Sequence, residues 1–174
     1  MVNWKIDTKH SEIHFKVKHM LISTVTGLFT KFDGTVSTEK INEFEGGKVS
    51  VEIETNSVYT NEEYRDNHLK SDAFFDIEKF PIITFESMSL NPQRKNEFLL
   101  KGILTIKQIA REVELKVIFG GAIESKEQYK AGFRVTGKIS RKDFGLIYNP
   151  LMEAGGLVVS EEVKIIGNVQ LIKI

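Results

Sequence analysis

Three of the four histidines, His10, His14 and His19, fall in one stretch, so metal chemistry is the first possibility to weigh. If His10 and His14 share a strand, their side chains share a face but stand ~13 Å apart. One ion cannot take both, because Zn–N bonds are about 2.0 Å, and His19 has the opposite parity from His14. They are therefore predicted to be outward polar positions plus one strand-end histidine, with no metal site. Arg65, Asp66 and His68 make a better cluster. They lie in Thr60–Lys70, where Thr60 and Glu63 have the spacing of a capping box, so a short helix is predicted over Asn61–Lys70. Arg65, His68 and Leu69 are then i, i+3 and i+4 on one face, with Asp66 and Lys70 paired on another. A guanidinium beside an imidazole can hold an anionic or phenolic head group. The other open reading is architectural, with Arg65 and Asp66 pinning the helix to neighbouring loops. Catalysis has less support: Asp66 and His68 are i, i+2 and point different ways, and no G-x-S-x-G, P-loop or H-E-x-x-H motif occurs.

The elements that must position these residues follow from composition and period. The chain has 174 residues, with 24 Lys and Arg against 24 Asp and Glu, so its formal charge is zero. That balance gives no overall field for a nucleic-acid backbone or an anionic bilayer. No run approaches the ~18 apolar residues of a membrane-spanning helix, so neither nucleic acid nor stable membrane insertion is expected. Zero cysteines exclude disulfides, thiol catalysis and thiolate zinc sites. Met1-Val2-Asn3-Trp4-Lys5 runs straight into patterned sequence without a leader, so the expected location is the cytoplasm, or the periplasm or cell surface if a leader has been removed. No composition shift marks a second domain, and residues 1–174 are expected to form one.

Apolar and polar residues alternate over most of the length. Ile13, Phe15 and Val17 alternate with His14, Lys16 and Lys18, and Val49, Val51 and Ile53 with Ser50, Glu52 and Glu54. Val113, Leu115 and Val117, then Phe133, Val135 and Ile139, then Val163, Ile165, Val169 and Leu171 repeat the pattern. With Trp4–Asp7, Val25–Val36, Ile82–Leu90 and Phe98–Lys107, eight or nine strands are predicted, each with one wet face. Long antiparallel strands with short turns close most economically into a barrel, with a two-sheet sandwich as the alternative. Gly27, Gly34, Gly102, Gly137 and Gly167 lie inside these runs, where glycine often marks a bend or bulge. Arg141–Glu162 lacks period, carrying Asn149-Pro150 and Gly155-Gly156 beside Phe144, Leu146, Ile147, Leu151 and Met152. It reads as a flap on the barrel mouth or on a partner subunit. Twelve Phe against one Trp and four Tyr give aromatic surface that asks for no hydrogen bonds. A filled core is the usual explanation for such inward residues, but parity alone does not separate it from an apolar cavity.

Several landmarks occur in order along the chain. They are Trp4-Lys5-Ile6-Asp7, then His10-Ser11-Glu12-Ile13-His14-Phe15-Lys16-Val17-Lys18-His19, Gly27-Leu28-Phe29 and Phe32-Asp33-Gly34. Arg65-Asp66-Asn67-His68-Leu69-Lys70-Ser71 follows, with Phe74-Phe75-Asp76, Phe80-Pro81, Leu104-Thr105-Ile106 and Arg141-Lys142-Asp143-Phe144-Gly145. Together they resemble the YceI-like family of lipocalin-like barrels that bind polyisoprenoid lipids. The resemblance implies an all-β, eight-stranded antiparallel lipocalin-like barrel with one short helix in a loop insertion. It also implies a tunnel-like apolar cavity, a polar end for a head group and frequent dimerisation. The expected function is non-catalytic binding, storage or transport of a polyisoprenoid lipid of the quinone or polyprenyl phosphate type, without a cofactor. The alternatives are a stress-linked scaffold or dimerisation module with a filled barrel, and an enzyme acting on such a lipid. With inward parity, the resemblance points to Phe15, Val17, Phe29, Val51, Ile53, Phe74, Phe75, Phe85, Leu104, Leu115, Val117 and Phe133 as tunnel residues. Arg65, Asp66 and His68 would meet the head group, and a homodimer is expected. Two departures stand out: Gln108-Ile109 where the family usually has Gly, which should change one turn at the rim, and Ser160-Glu161 where Gly-Asp is common.

Overall fold

A computed structural model describes residues 1–148 and 159–174. The alternating segments form β1 (Val2–Ile6), β2 (Glu12–His19), β3 (Ser23–Phe29), β4 (Phe32–Thr38), β5 (Lys48–Glu54) and β6 (Val58–Tyr59). Helix α1 (Glu63–Lys70) follows, then β7 (Ile82–Arg94), β8 (Glu97–Ile106), β9 (Ile109–Glu124), β10 (Tyr129–Ser140) and β11 (Val159–Lys173). All pairings are antiparallel. The order β1-β4-β5-β7-β8-β9-β10-β11 closes when β11 pairs back with β1, Ile6 opposite Leu171. That closed ring is the eight-stranded barrel, and it excludes the two-sheet sandwich.

The three remaining strands extend the ring's own staves. β2 continues the line of β1 along β11, β3 lies along β2, and β6 pairs with β3. Three barrel strands are thus each broken in two, and the breaks lie side by side. Asp7 N donates to Gln170 O at 2.8 Å, Thr30 N to Ser57 O at 3.1 Å and Glu54 N to Lys31 O at 3.0 Å. The stretch Val25–Val36, which periodicity reads as one strand, is therefore divided between β3 and β4. Short 3-10 turns at Thr8–His10 and Thr55–Ser57 make the neighbouring breaks.

Gly27, Gly34, Gly102 and Gly137 serve close approach. A Cβ on Gly27 would lie 2.1 Å from the Phe15 ring, and one on Gly102 would lie 2.5 Å from Phe85. Gly102 also flanks a bulge at Ser87–Ser89, whereas the pairing through Gly27 is regular. The Gln108 departure leaves the rim intact: Lys107 and Gln108 take φ of 53° and 60°, and the β8–β9 register continues without a shift to Ile106–Ile109. The pair of positive φ values is the mark of a two-residue hairpin turn.

The start of α1 differs from the sequence expectation. Its N-cap is Glu62, whose carboxylate accepts from Tyr64 N at 3.1 Å and Arg65 N at 2.7 Å. Thr60 cannot cap because its hydroxyl is engaged by Arg65 and Asp66. Asn61, at φ 62°, turns the chain between them. Asp66 accordingly faces Thr60 rather than Lys70. The aperiodic segment after β10 begins as a short 3-10 turn, Arg141–Phe144, closed by Gly145 at φ 72°, with Phe144 and Leu146 buried in the core. Its far end is strand, since β11 starts at Val159. The sequence landmarks Asn149-Pro150, Leu151, Met152 and Gly155-Gly156 lie outside the described residues.

Candidate functional site

The inward faces of the strands enclose a cavity of about 290 Å³, near the lower end of the roughly 300–1,000 Å³ typical of small-molecule pockets. Among the described residues, no polar atom is exposed to it. All twelve residues expected to face a tunnel border this space. Phe15 and Val17 come from β2, Phe29 from β3, Val51 and Ile53 from β5, and Phe74 and Phe75 from the segment after α1. Phe85 comes from β7, Leu104 from β8, Leu115 and Val117 from β9, and Phe133 from β10. Period-two sequence therefore places one side chain of each pair on this wall.

One end of the barrel is closed by aromatic rings. Phe44, in the loop between β4 and β5, lies 5.4 Å from Trp4, 4.9 Å from Phe133 and 5.8 Å from Phe119, ring centre to ring centre. Tyr129 stands edge-on to Trp4 at 5.5 Å, and its hydroxyl donates to Asn42 Oδ1. Trp4 is fully buried, and its Nε1 donates to Thr38 Oγ1 at 3.1 Å. This cluster forms a floor. Phe44 escaped the sequence reading because it sits in a loop, where parity carries no information.

The opposite end is framed by α1, by the turn after β10 and by the β2–β3 hairpin. Leu69, Phe74, Leu146, Val159 and half-buried His14 border the cavity here. His14 also bonds Glu12 at 2.8 Å, and His10 bonds Asp7 at 2.7 Å. Among the described residues no group of three His, Asp or Glu could hold a metal ion.

The three residues expected at a head group do not converge on the cavity. Arg65 donates from Nε to Thr60 Oγ1 and from Nη2 to Thr60 O, both at 2.7 Å. Buried Asp66 accepts from Thr60 N at 2.8 Å and from its hydroxyl at 2.5 Å. Both side chains therefore tie α1 to the end of β6. His68 joins a second aromatic cluster, 5.1 Å from Phe74 and 4.8 Å from Tyr148. Of the three, only His68 contacts a ring of the cavity wall.

Arg141 is the buried cation the sequence reading did not single out as a site residue. Its Nε donates to Ser160 O at 2.8 Å and its Nη2 to Val159 O at 3.1 Å. Its Nη1 donates to Leu146 O at 2.7 Å and to Tyr148 O at 3.0 Å. Burial pulls its pKa below the usual guanidinium value, with Glu161 opposing, and a guanidinium remains charged at neutral pH regardless. Its stem borders the cavity while its nitrogens hold backbone carbonyls, so it fastens the start of β11 to the turn after β10. Its spacing does not mark it, since an exposed arginine would look the same; the signal that could have found it is its place in the Arg141–Gly145 landmark.

The model of the YceI-like domain matches residues 4–171. The chain belongs to the YceI-like family. A UPF0312 protein of Staphylococcus aureus is 37% identical over 166 residues, covering 94% of each chain. The crystal structure of the YceI protein of Campylobacter jejuni is 29% identical, with a TM-score of 0.77 over 89% of this chain and 88% of that one. A polyisoprenoid-binding domain from Saccharophagus degradans, implicated in plant cell wall breakdown, has a TM-score of 0.66 at 17% identity, covering 98% of both chains. At that identity the likeness to the Saccharophagus domain is one of fold. The YceI-like match spans both the strands that make the cavity wall and the Arg65–Ser71 motif that pins α1.

Proposed function

We propose that the protein is a non-catalytic carrier or reservoir for the apolar chain of a polyisoprenoid lipid. The observation that carries this reading is a barrel cavity with a closed aromatic floor and, among the described residues, no exposed polar atom in its wall. Membership of the YceI-like family and the polyisoprenoid-binding name of a structural neighbour point the same way. Burying a CH₂-sized group gains about 0.8 kcal/mol, so one five-carbon unit is worth ~4 kcal/mol before losses. Immobilisation costs roughly 4–15 kcal/mol, so several units give net binding. Among the described residues, Arg65 directs Nε and Nη2, and Arg141 all three guanidinium nitrogens, at protein oxygens, which favours a weakly polar quinone-type head beside His68 and Tyr148 over a phosphate.

Native mass spectrometry of delipidated protein, titrated with an isoprenoid quinone, a polyprenyl phosphate and a matched polyprene hydrocarbon, tests the reading. One-to-one complexes with the quinone and the hydrocarbon are expected. Absence of any complex with folded protein would overturn it. In Arg65→Lys the affinity ratio of phosphate to hydrocarbon should stay the same while the melting temperature falls, because Lys cannot serve both Thr60 oxygens. A collapsed ratio at unchanged stability would instead place Arg65 at the head group.

A further inference from the structure

The β2–β3 hairpin has a tip that folding does not explain. Met20, Leu21 and Ile22 are 46%, 70% and 90% exposed, three large apolar side chains in a row at the rim. Met20 and Leu21 also take φ of 53° and 63°, the left-handed region that suits Asn and Gly and that side chains such as these rarely adopt. A hairpin selected for stability alone would carry Asn-Gly there. Apolar residues in a strained turn facing water point to contact with something apolar.

The charge around the tip says what that is. Residues 16–26 contain Lys16, Lys18 and His19 and no carboxylate, in a chain whose overall charge is zero. On the outer face, Lys16 stands directly across from Lys164, which stands across from Lys138. Like charges aligned across strands are unfavourable in an isolated molecule. The nearby acids are already engaged, Glu161 with Lys142 at 2.7 Å and Glu162 with Lys138 at 3.6 Å. Position matters too. His19 pairs with Val159, a cavity-bordering residue held by Arg141, so the tip stands beside the end of the cavity away from the aromatic floor.

We propose that the Met20–Ile22 tip, flanked by Lys16 and Lys18, docks peripherally on an anionic phospholipid surface, with the tip's apolar side chains at the acyl boundary and the lysines at the head groups. Lys18 pairs with Thr24, two residues from Ile22, so its backbone lies roughly 7 Å from the tip along the strand, within reach of the same surface. A second copy of the chain fits less well, because a two-fold contact through this patch would set the same lysines against each other. That a docked barrel would receive lipid through this end rests on the carrier reading; the docking itself does not.

Flotation of the full, delipidated chain with vesicles free of isoprenoid lipid separates the two. Vesicles of phosphatidylcholine with 30% phosphatidylglycerol are expected to carry the protein, and pure phosphatidylcholine far less. The variant Met20→Asn, Leu21→Gly, Ile22→Ser should cut partitioning by roughly tenfold or more. Its melting temperature should be unchanged or raised by roughly 2–4 °C, since the turn gains its preferred residues. Lys16→Ser with Lys18→Ser should cut partitioning to anionic vesicles by about fivefold or more. No flotation of the wild type, or equal flotation of the tip variant, would overturn the proposal. A wild-type dimer that the tip variant converts to monomer, without vesicle binding in either, would overturn it in favour of a second copy.

Discussion

Thr60 shows how a single side chain can be misread and still reveal the design around it. As a capping-box residue it would stabilise α1 through the helix backbone; in the fold it receives Arg65 and Asp66 instead, and Glu62 caps the helix. The spacing rule located a helix correctly to within two residues at its start, because the residue that does cap, Glu62, lies only two positions beyond the expected Thr60. Whether the hydroxyl or the carboxylate caps depends on where Thr60 sits at the end of β6, and local sequence does not contain that. Asp66→Ala should therefore destabilise the protein by about 1–3 kcal/mol, leaving the buried Thr60 N–H without its acceptor. Urea denaturation measures this, and a change below half a kcal/mol would mean the site relaxes to admit water.

At the scale of elements, the strands were legible because one face of each is wet, and alternation survives wherever a strand has two environments. The breaks within staves were not, since a break keeps the parity on either side and is set by partners distant in sequence. Asp7, Ser11 and Gln170 hold the break between β1 and β2. Asp7 Oδ2 accepts from His10 Nδ1 at 2.7 Å and Gln170 Nε2 at 2.8 Å, and Gln170 N donates to Ser11 Oγ at 2.9 Å. The His10 bond, above all, holds the Asp7 carboxyl below its ordinary value, with burial opposing it. A carboxyl depressed on folding adds stability that is complete above its unfolded pKa of about 3.9 and is lost as pH falls through the lower folded value. At pH 5 wild type should thus exceed Asp7→Asn in stability, and the margin should shrink below about pH 4. Thermal melts across that range decide it; a margin that persists unchanged to pH 2 would assign the difference to hydrogen-bond geometry instead of charge.

For the whole molecule, closure converts eight half-wet strands into a wall, and the wall's composition alone could not say whether the inside is filled. The deciding feature is the cavity of about 290 Å³ inside the wall, which ends at a floor where Phe44 arrives from a loop to meet Trp4, Phe119 and Phe133. Phe44→Ala should cost about 3–5 kcal/mol in a chemical denaturation series and lengthen the cavity, so that longer polyprene chains are favoured over shorter ones relative to wild type. An unchanged chain-length preference would mean the rings around Phe44 collapse into the gap. The carrier reading itself meets its most direct test in the middle of the barrel, at Val51 and Val117, which border the cavity from β5 and β9. Organic extraction of purified wild type, Val51→Trp and Val117→Trp, followed by mass spectrometry with folding checked by circular dichroism, measures bound lipid per molecule. The expected result is an isoprenoid chain released from wild type in near-stoichiometric amount and strongly reduced from both folded variants. Equal lipid from all three proteins, or variants that cannot fold because the space is already full, would contradict a lipid-holding barrel.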